Sequence, residues 1–142
     1  MSIDRHGSAA WSGGLKDGRG SVSTQSGALD AKPYGFKTRF EGEKGTNPEE
    51  LIAAAHASCF TMALSMILGN EGLTAEKLET KATVSLDQKD GGFEVTKIHL
   101  DLTGSVPGAD EATFMKCAET AKANCPISKL MKAEITMDAK FA

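Results

Sequence analysis

The spacing of apolar residues predicts strands in both halves of the chain. In residues 34–40 apolar and polar side chains alternate, so we expect the even-numbered positions to face inward and Lys37 and Arg39 to lie on the other side. The run Asp90-Gly91-Gly92 separates two further alternating segments and is a strong hairpin signal. The predicted strands, which alternate or flank a glycine-rich turn, are residues 9–11, 20–24, 34–40, 81–87, 93–100 and 133–141.

A long apolar stretch between these strands predicts a central helix. Asn47 is a suitable N-cap, Pro48 suits the first helical position, and two glutamates follow at the positive end of the helix dipole. The helix should run to about Gly69, a length of roughly 33 Å. Its apolar residues go most of the way round, so we expect burial on nearly every side. One chain of 142 residues would struggle to wrap such a helix, which indicates a partner subunit.

The same stretch raises the question of a membrane span. Residues 51–68 contain no charged side chain and are just long enough to cross a bilayer. They are rich in alanine, however, and include the polar residues His56, Ser58 and Thr61. No other segment resembles a span, so we expect a buried helix and no membrane partner.

Two further helices follow the predicted hairpin. Asp110 is a suitable cap for a helix over residues 111–124, and residues 126–132 can form a short additional helix. The first of these has one apolar stripe, formed by Phe114, Cys117, Ala118 and Ala121. The order βββ-α-ββ-α-β predicts an α+β fold with helices on antiparallel sheet, in a single domain covering residues 1–142.

The charge balance argues against nucleic-acid binding. The chain has 16 basic and 19 acidic residues and a formal charge of -3, whereas a nucleic-acid surface normally shows a basic excess. Arginine is scarce, because only Arg5, Arg19 and Arg39 are present. Each is therefore a candidate for fixing a carboxylate or a charged intermediate in bidentate geometry.

The cysteines indicate redox chemistry in a reducing compartment. Three cysteines are an odd number, which does not fit a secreted disulfide framework, and the first residues show no signal-peptide pattern. We therefore expect a cytoplasmic protein, in which paired thiols are more often redox-active than structural. Cys59 in the predicted central helix and Cys125, directly before Pro126, are 66 positions apart. Two such thiols are the minimum that disulfide-forming chemistry requires.

At several segments the chain resembles the OsmC/Ohr family of thiol-dependent hydroperoxide reductases, specifically the OsmC (osmotically inducible protein C) branch. The resemblance covers essentially the whole chain in order and spacing. The matching segments are Pro33-Tyr34-Gly35-Phe36, Arg39-Phe40-Glu41-Gly42, Gly45-Thr46-Asn47-Pro48-Glu49-Glu50-Leu51, Ala54-Ala55-His56-Ala57-Ser58-Cys59-Phe60 and Cys125-Pro126-Ile127-Ser128.

The resemblance implies an OsmC-like fold in an intertwined homodimer, with two long central helices wrapped by sheets from both chains. It also implies reduction of organic hydroperoxides to alcohols without a metal, flavin or other cofactor, in defence against oxidative or osmotic stress. Cys59 matches the peroxidatic cysteine of the family and Cys125 its resolving cysteine. The expected reductant is a dithiol, dihydrolipoamide or a lipoylated protein. The Ohr branch places its active-site arginine nearer the N-terminus, where this chain has Arg19, and the OsmC branch favours Arg39.

Helix geometry selects the glutamate that would hold this arginine. Burial of Cys59 in apolar surroundings should raise its pKa, so a cation such as Arg39 is needed to offset the shift. Glu49 lies about 80° from Cys59 around the helix, whereas Glu50 lies about 180° away. The rise from Glu49 to Cys59 is nevertheless about 15 Å, too far for both to serve one site directly. We therefore expect a composite site, with Glu49 and Arg39 donated across the dimer interface.

Two further residues need a role. Cys117 lies on the apolar stripe of its helix and is expected to pack in the core. His56 lies one helical turn before Cys59, and a packed histidine is the simplest interpretation, because two neighbouring ligands are weak evidence for zinc. Two alternatives to the enzyme stay open: a redox-sensing thiol protein without significant turnover, and a metal-binding protein that uses His56 and the cysteines.

Overall fold

The computed structural model describes all 142 residues, which divide into two units, residues 1–51 and 52–142. The first unit contains a three-stranded antiparallel sheet. The strands β1 (Gly7–Ser12), β2 (Arg19–Thr24) and β3 (Lys32–Tyr34) lie in that order. Trp11 and Tyr34 face each other with ring centroids 5.7 Å apart, and Gly20 lies between them. A Cβ atom at Gly20 would lie 2.6 Å from an atom of each ring, so this close approach requires glycine.

The prediction of a strand over residues 34–40 is wrong. Of these residues only Tyr34 lies in a strand, as the last residue of β3, and Phe36–Phe40 form a short helix, α1. The Thr38 hydroxyl donates to the Gly35 carbonyl and accepts from its N–H, at 3.0 Å each, which fixes the first turn. Phe36 and Phe40 are partly buried while Arg39 is exposed, and the two rings are 5.0 Å apart. An alternating pattern of this length also fits one helical turn, because residues i and i+4 share a helix face.

The central helix, α2, has the expected bounds. It runs from Pro48 to Asn70, and the Asn47 side chain caps it by accepting the N–H of Glu50 at 2.8 Å. Within one chain it is covered along one stripe only, formed by His56, Phe60, Leu64 and Leu68. Its opposite face is open, so the predicted burial on nearly every side is not present in the single chain. By length and composition alone α2 could cross a membrane, a property it shares with core helices of folded proteins.

The second unit forms a sheet with helices on one face. Strands β4 (Lys77–Lys89) and β5 (Gly92–Ser105) form a long antiparallel hairpin, as predicted, and Asp90 and Gly91 turn it with positive φ angles of 51° and 81°. The last strand, β6 (Glu134–Phe141), pairs with β5 in parallel. The expectation of purely antiparallel sheets is therefore wrong at β6. The chain reaches β6 through two helices, which is the crossover that a parallel pair needs.

These two helices are α3 (Glu111–Asn124) and α4 (Pro126–Leu130). Asp110 caps α3 by accepting the N–H of Thr113 at 2.7 Å, as predicted. The core of the unit joins α2, α3 and the inner face of β5. Its fully buried residues are Phe60, Leu64, Leu68, Ile98, Leu100, Phe114, Ala118 and Ala121.

Candidate active site

The fold brings the two predicted redox thiols together. Cys59 is half-buried beside the covered stripe of α2, and Cys125 is buried at the junction of α3 and α4. The Cys125 thiol lies close enough to Cys59 to raise the pKa of Cys59, although the residues are far apart in sequence. Both cysteines are free thiols in the structure. Two free thiols that interact in this way are suited to thiol–disulfide chemistry.

The surroundings of Cys59 favour the protonated thiol. Burial is the largest effect and raises the pKa of Cys59, and the neighbouring Cys125 raises it further. The backbone N–H of Ile127 opposes this by donating to the Cys59 sulfur. All these groups lie in residues 52–142, and none of them is a cation. None of the groups that shift the pKa of Cys59 therefore favours its thiolate by supplying a positive charge.

Cys125 is held by Ser128. The Ser128 N–H donates to the Cys125 Sγ at 3.4 Å, which caps α4, and the Ser128 Oγ lies 3.0 Å from the same sulfur. Ser128 is itself only 5% exposed. The sequence reasoning missed this residue. The available signal was its position three residues after Cys125, the residue before Pro126, where a capping contact is expected.

His56 joins the same network. Its Nε2 lies 2.8 Å from the Ser128 Oγ, and the ring is fully buried. Burial lowers the pKa of His56 from its ordinary value of 6.5, so the neutral ring is favoured. The Nδ1 atom has no hydrogen-bond partner. The interpretation of His56 as a packed histidine is correct for its burial but incomplete, because the ring is linked through Ser128 to Cys125.

Arg39 and Glu49 form the predicted ion pair in the first unit. The guanidinium Nε and Nη2 donate to the two carboxylate oxygens at 3.0 and 2.9 Å, which is the bidentate geometry. Glu49 was selected over Glu50, and Glu50 is exposed, as expected for a solvated charge. The pairing is confirmed. Whether the pair acts on Cys59 of a partner chain stays a prediction.

Cys117 lies apart from this chemistry. It is 4% exposed on the buried stripe of α3, as predicted, among the residues of the core. Burial and the nearby Glu71 raise the pKa of its thiol, while Lys116 lowers it. A buried thiol with a raised pKa is a poor nucleophile.

A different set of residues offers ligands for a metal ion. His99, Asp101 and Asp138 lie on the outer face of β5 and β6, with potential ligand atoms within 4.8 Å of one another. The His99 Nε2 lies 2.9 Å from an oxygen of Asp138 and 3.3 Å from one of Asp101. The His99 Nδ1 lies 2.5 Å from the Thr136 Oγ1, so both ring nitrogens have partners without an ion. The metal-binding alternative had assigned that role to His56 instead, whose Nε2 contacts Ser128.

A buried thiol close to a half-buried one is an arrangement that suits thiol–disulfide chemistry. The family described as OsmC-like protein matches residues 41–140. The chain is 57% identical over 138 residues to peroxiredoxin OsmC of Escherichia coli (strain K12), covering 97% of this chain and 96% of that protein. The chain belongs to the OsmC-like protein family.

More distant relatives agree with this assignment. The organic hydroperoxide resistance protein OhrB of Bacillus subtilis (strain 168) is 29% identical over 117 residues, covering 82% of this chain and 84% of that protein. A solved OsmC-like protein of Vibrio cholerae superposes with a TM-score of 0.76 over 97% of this chain and 99% of its own, at 18% identity, which supports the fold alone. The predicted family, the OsmC-like fold and a peroxidase activity are confirmed.

Proposed function

We propose that the protein reduces organic hydroperoxides to alcohols by a two-cysteine cycle. The observation that carries this proposal is the interaction of the Cys125 thiol with Cys59, which raises the pKa of Cys59. The Cys59 thiolate attacks the peroxide, the O–O bond breaks, the alcohol leaves, and Cys59 becomes a sulfenic acid. Cys125 then attacks the Cys59 sulfur, which forms the disulfide and releases water. Cys59 takes the first role because it is the less buried of the two residues.

Arg39 and Glu49 supply the activation that the thiol unit lacks. A guanidinium cannot deprotonate, so near Cys59 it would stabilise the thiolate and the oxygen that leaves the peroxide. Glu49 fixes the guanidinium through both carboxylate oxygens. Because Glu49 and Cys59 are separated by about 15 Å of helix, the pair acts on the partner's thiol in a homodimer.

The open face of α2 supports the homodimer. Met62 and Met66 are 78% and 63% exposed in the single chain, which is unusual for adjacent turns of a long apolar helix. Between α2 and β4 lies an open groove of about 630 Å³, partly lined by Ala57, Thr61 and Met62. A second copy of the helix, wrapped by both chains, would cover this face. Met62 and Met66 lie on the turns of α2 that follow Cys59, and this apolar surface would favour organic peroxides over hydrogen peroxide.

The cycle closes when an external dithiol reduces the disulfide. We propose dihydrolipoamide or a lipoylated protein as this reductant, in keeping with the resemblance to the OsmC branch. A cytoplasmic location and a role in oxidative or osmotic stress defence fit a thiol peroxidase, because the reducing cytoplasm keeps both cysteines ready to react.

Steady-state kinetics test the proposed function. The purified protein should consume many equivalents of cumene hydroperoxide in the presence of dihydrolipoamide, and faster than with a thioredoxin system. Cys59→Ser should abolish this turnover, Cys125→Ser should abolish turnover supported by the dithiol cycle, and Cys117→Ser should retain it. Turnover that persists in Cys59→Ser would refute the assignment.

A redox sensor is the second candidate, and the raised pKa of Cys59 favours it, since a protonated thiol reacts slowly. Stoichiometry separates the two. A sensor would consume one equivalent of peroxide, form one disulfide and then stop, even with excess dihydrolipoamide.

A further inference from the structure

A buried hydrogen-bonded chain leads away from the resolving cysteine. It runs from the Cys125 Sγ to the Ser128 Oγ at 3.0 Å and from there to the His56 Nε2 at 2.8 Å. All three residues are buried, with exposures of 1%, 5% and 0%. They come from α2 and α4, and His56 and Ser128 are 72 positions apart. The proposed cycle makes no use of the two polar members.

Packing alone gives a poor account of His56. A buried polar atom without a partner is unfavourable, and the Nδ1 of His56 is such an atom. An apolar residue would fill this position of the α2 stripe, between Ile52 and Phe60, without leaving that atom unpaired. The Nε2 atom, in contrast, points at the one hydroxyl that also contacts Cys125. Burial keeps the ring neutral by lowering its pKa, which leaves one ring nitrogen free to accept a proton.

We propose that Ser128 and His56 form a proton relay that deprotonates Cys125 during disulfide formation. The proposal deepens the two-cysteine cycle and rests on it. Ser128 contacts the reacting sulfur, and His56 acts through Ser128 as a positioning residue and proton acceptor.

With this relay, the atoms and electrons of disulfide formation are all accounted for. The proton of the Cys125 thiol passes to the Ser128 oxygen as the serine proton passes to His56 Nε2. The Cys125 sulfur then attacks the Cys59 sulfur, so that the S–S bond forms and the S–O bond of the sulfenic acid breaks. Cys125 is oxidised and the sulfenic sulfur of Cys59 is reduced. The departing hydroxide takes up the Ser128 hydroxyl proton, His56 returns its proton to the Ser128 oxygen, and water is the only product released.

Rapid-quench experiments on the reduced full-length protein test the relay. One equivalent of cumene hydroperoxide is added, and peroxide consumption is followed separately from disulfide formation, which is measured by alkylation and mass spectrometry. In Ser128→Ala and His56→Gln the first rate should stay within about twofold of wild type. Disulfide formation should slow by about 100-fold, the size typical of a positioned acid or base. Dimedone should then trap the Cys59 sulfenic acid, and His6→Gln should behave as wild type.

Each outcome decides the proposal. Selective slowing of disulfide formation in Ser128→Ala supports it, and this variant changes a single oxygen, so it remains informative if His56→Gln fails to fold. A wild-type rate of disulfide formation in Ser128→Ala overturns the relay. Equal slowing of both rates also overturns it, because that pattern indicates a structural role. If Cys125→Ser forms a Cys59 disulfide within the chain as fast as wild type, the two-cysteine cycle itself is wrong.

Discussion

Replacing Cys117 separates the stability of the fold from its chemistry. The thiol is 4% exposed in the α3 stripe, so Cys117→Ser places a hydroxyl where the side chains of the core surround it. A buried hydroxyl without a partner costs about 1–3 kcal/mol. A bond to the carbonyl of Thr113, four residues earlier on the helix, would bring the cost to the lower end of that range. At roughly 3 °C per kcal/mol for a chain of this size, the expected fall in Tm is roughly 3–9 °C.

The assay combines thermal unfolding with peroxide turnover at 25 °C. Cys117→Ser should lose stability and keep its turnover, because this thiol is not among the groups that interact with Cys59. Cys117→Ala is the matched control, since it removes the sulfur without adding a polar atom and should be destabilised less. If Cys117→Ser remained folded but lost turnover, the assignment of the reactive pair to Cys59 and Cys125 would be refuted.

Three further predictions concern other parts of the structure. Gly104→Ala would place its Cβ 2.5 Å from the ring of the buried Phe114, so it should lower the free energy of unfolding in urea by about 1–3 kcal/mol. Gly69→Ala is the control, because its Cβ would meet nothing within 4 Å and the protein should not be destabilised in this way. The pKa of His56 is lowered from 6.5 in the folded protein, so as the pH falls His56 binds a proton in the unfolded chain before it does so in the folded one. Wild type should therefore lose stability from about pH 6.5 downward, and His56→Gln should lose less. Equal losses in the two proteins would contradict this. Arg39→Lys loses the bidentate contact and should lower kcat/KM for peroxide by about 10-fold or more. The free energy of unfolding should change by less than about 1 kcal/mol, since the side chain is 36% exposed. An unchanged kcat/KM would contradict the proposed role of Arg39.

Local signals were sufficient for much of the fold. The cap Asn47 and the following Pro48 fixed the start of α2, Asp90 and Gly91 fixed the β4–β5 turn, and the stripe containing Cys117 fixed the buried face of α3. In each case the feature depends on residues within a few positions of one another. Such features are readable from the sequence because the physical cause is itself local.

The features that were missed depend on longer range or on ambiguous patterns. Phe36 and Phe40 fit both an alternating strand and a helical turn, and the backbone contacts of Thr38 decide for the helix. The parallel pairing of β6 with β5 depends on the position at which the chain leaves α3 and α4. The pattern of residues within β6 contains no information about that position. The same reason applies to the site. The resemblance to the OsmC branch indicated Arg39, and helix geometry selected Glu49 as its partner, but the contact of His56 with Ser128 joins residues 72 positions apart.

The central claim is that Cys59 and Cys125 form one catalytic pair, and a disulfide map during turnover tests it most directly. The reduced protein is mixed with one equivalent of cumene hydroperoxide, free thiols are alkylated, and the cysteine-containing peptides are identified by mass spectrometry. We predict one equivalent of alcohol, a Cys59–Cys125 disulfide, an alkylated Cys117, and return of all three thiols after dihydrolipoamide is added. A disulfide that contains Cys117, or peroxide consumed while Cys59 remains a free thiol, would contradict the account.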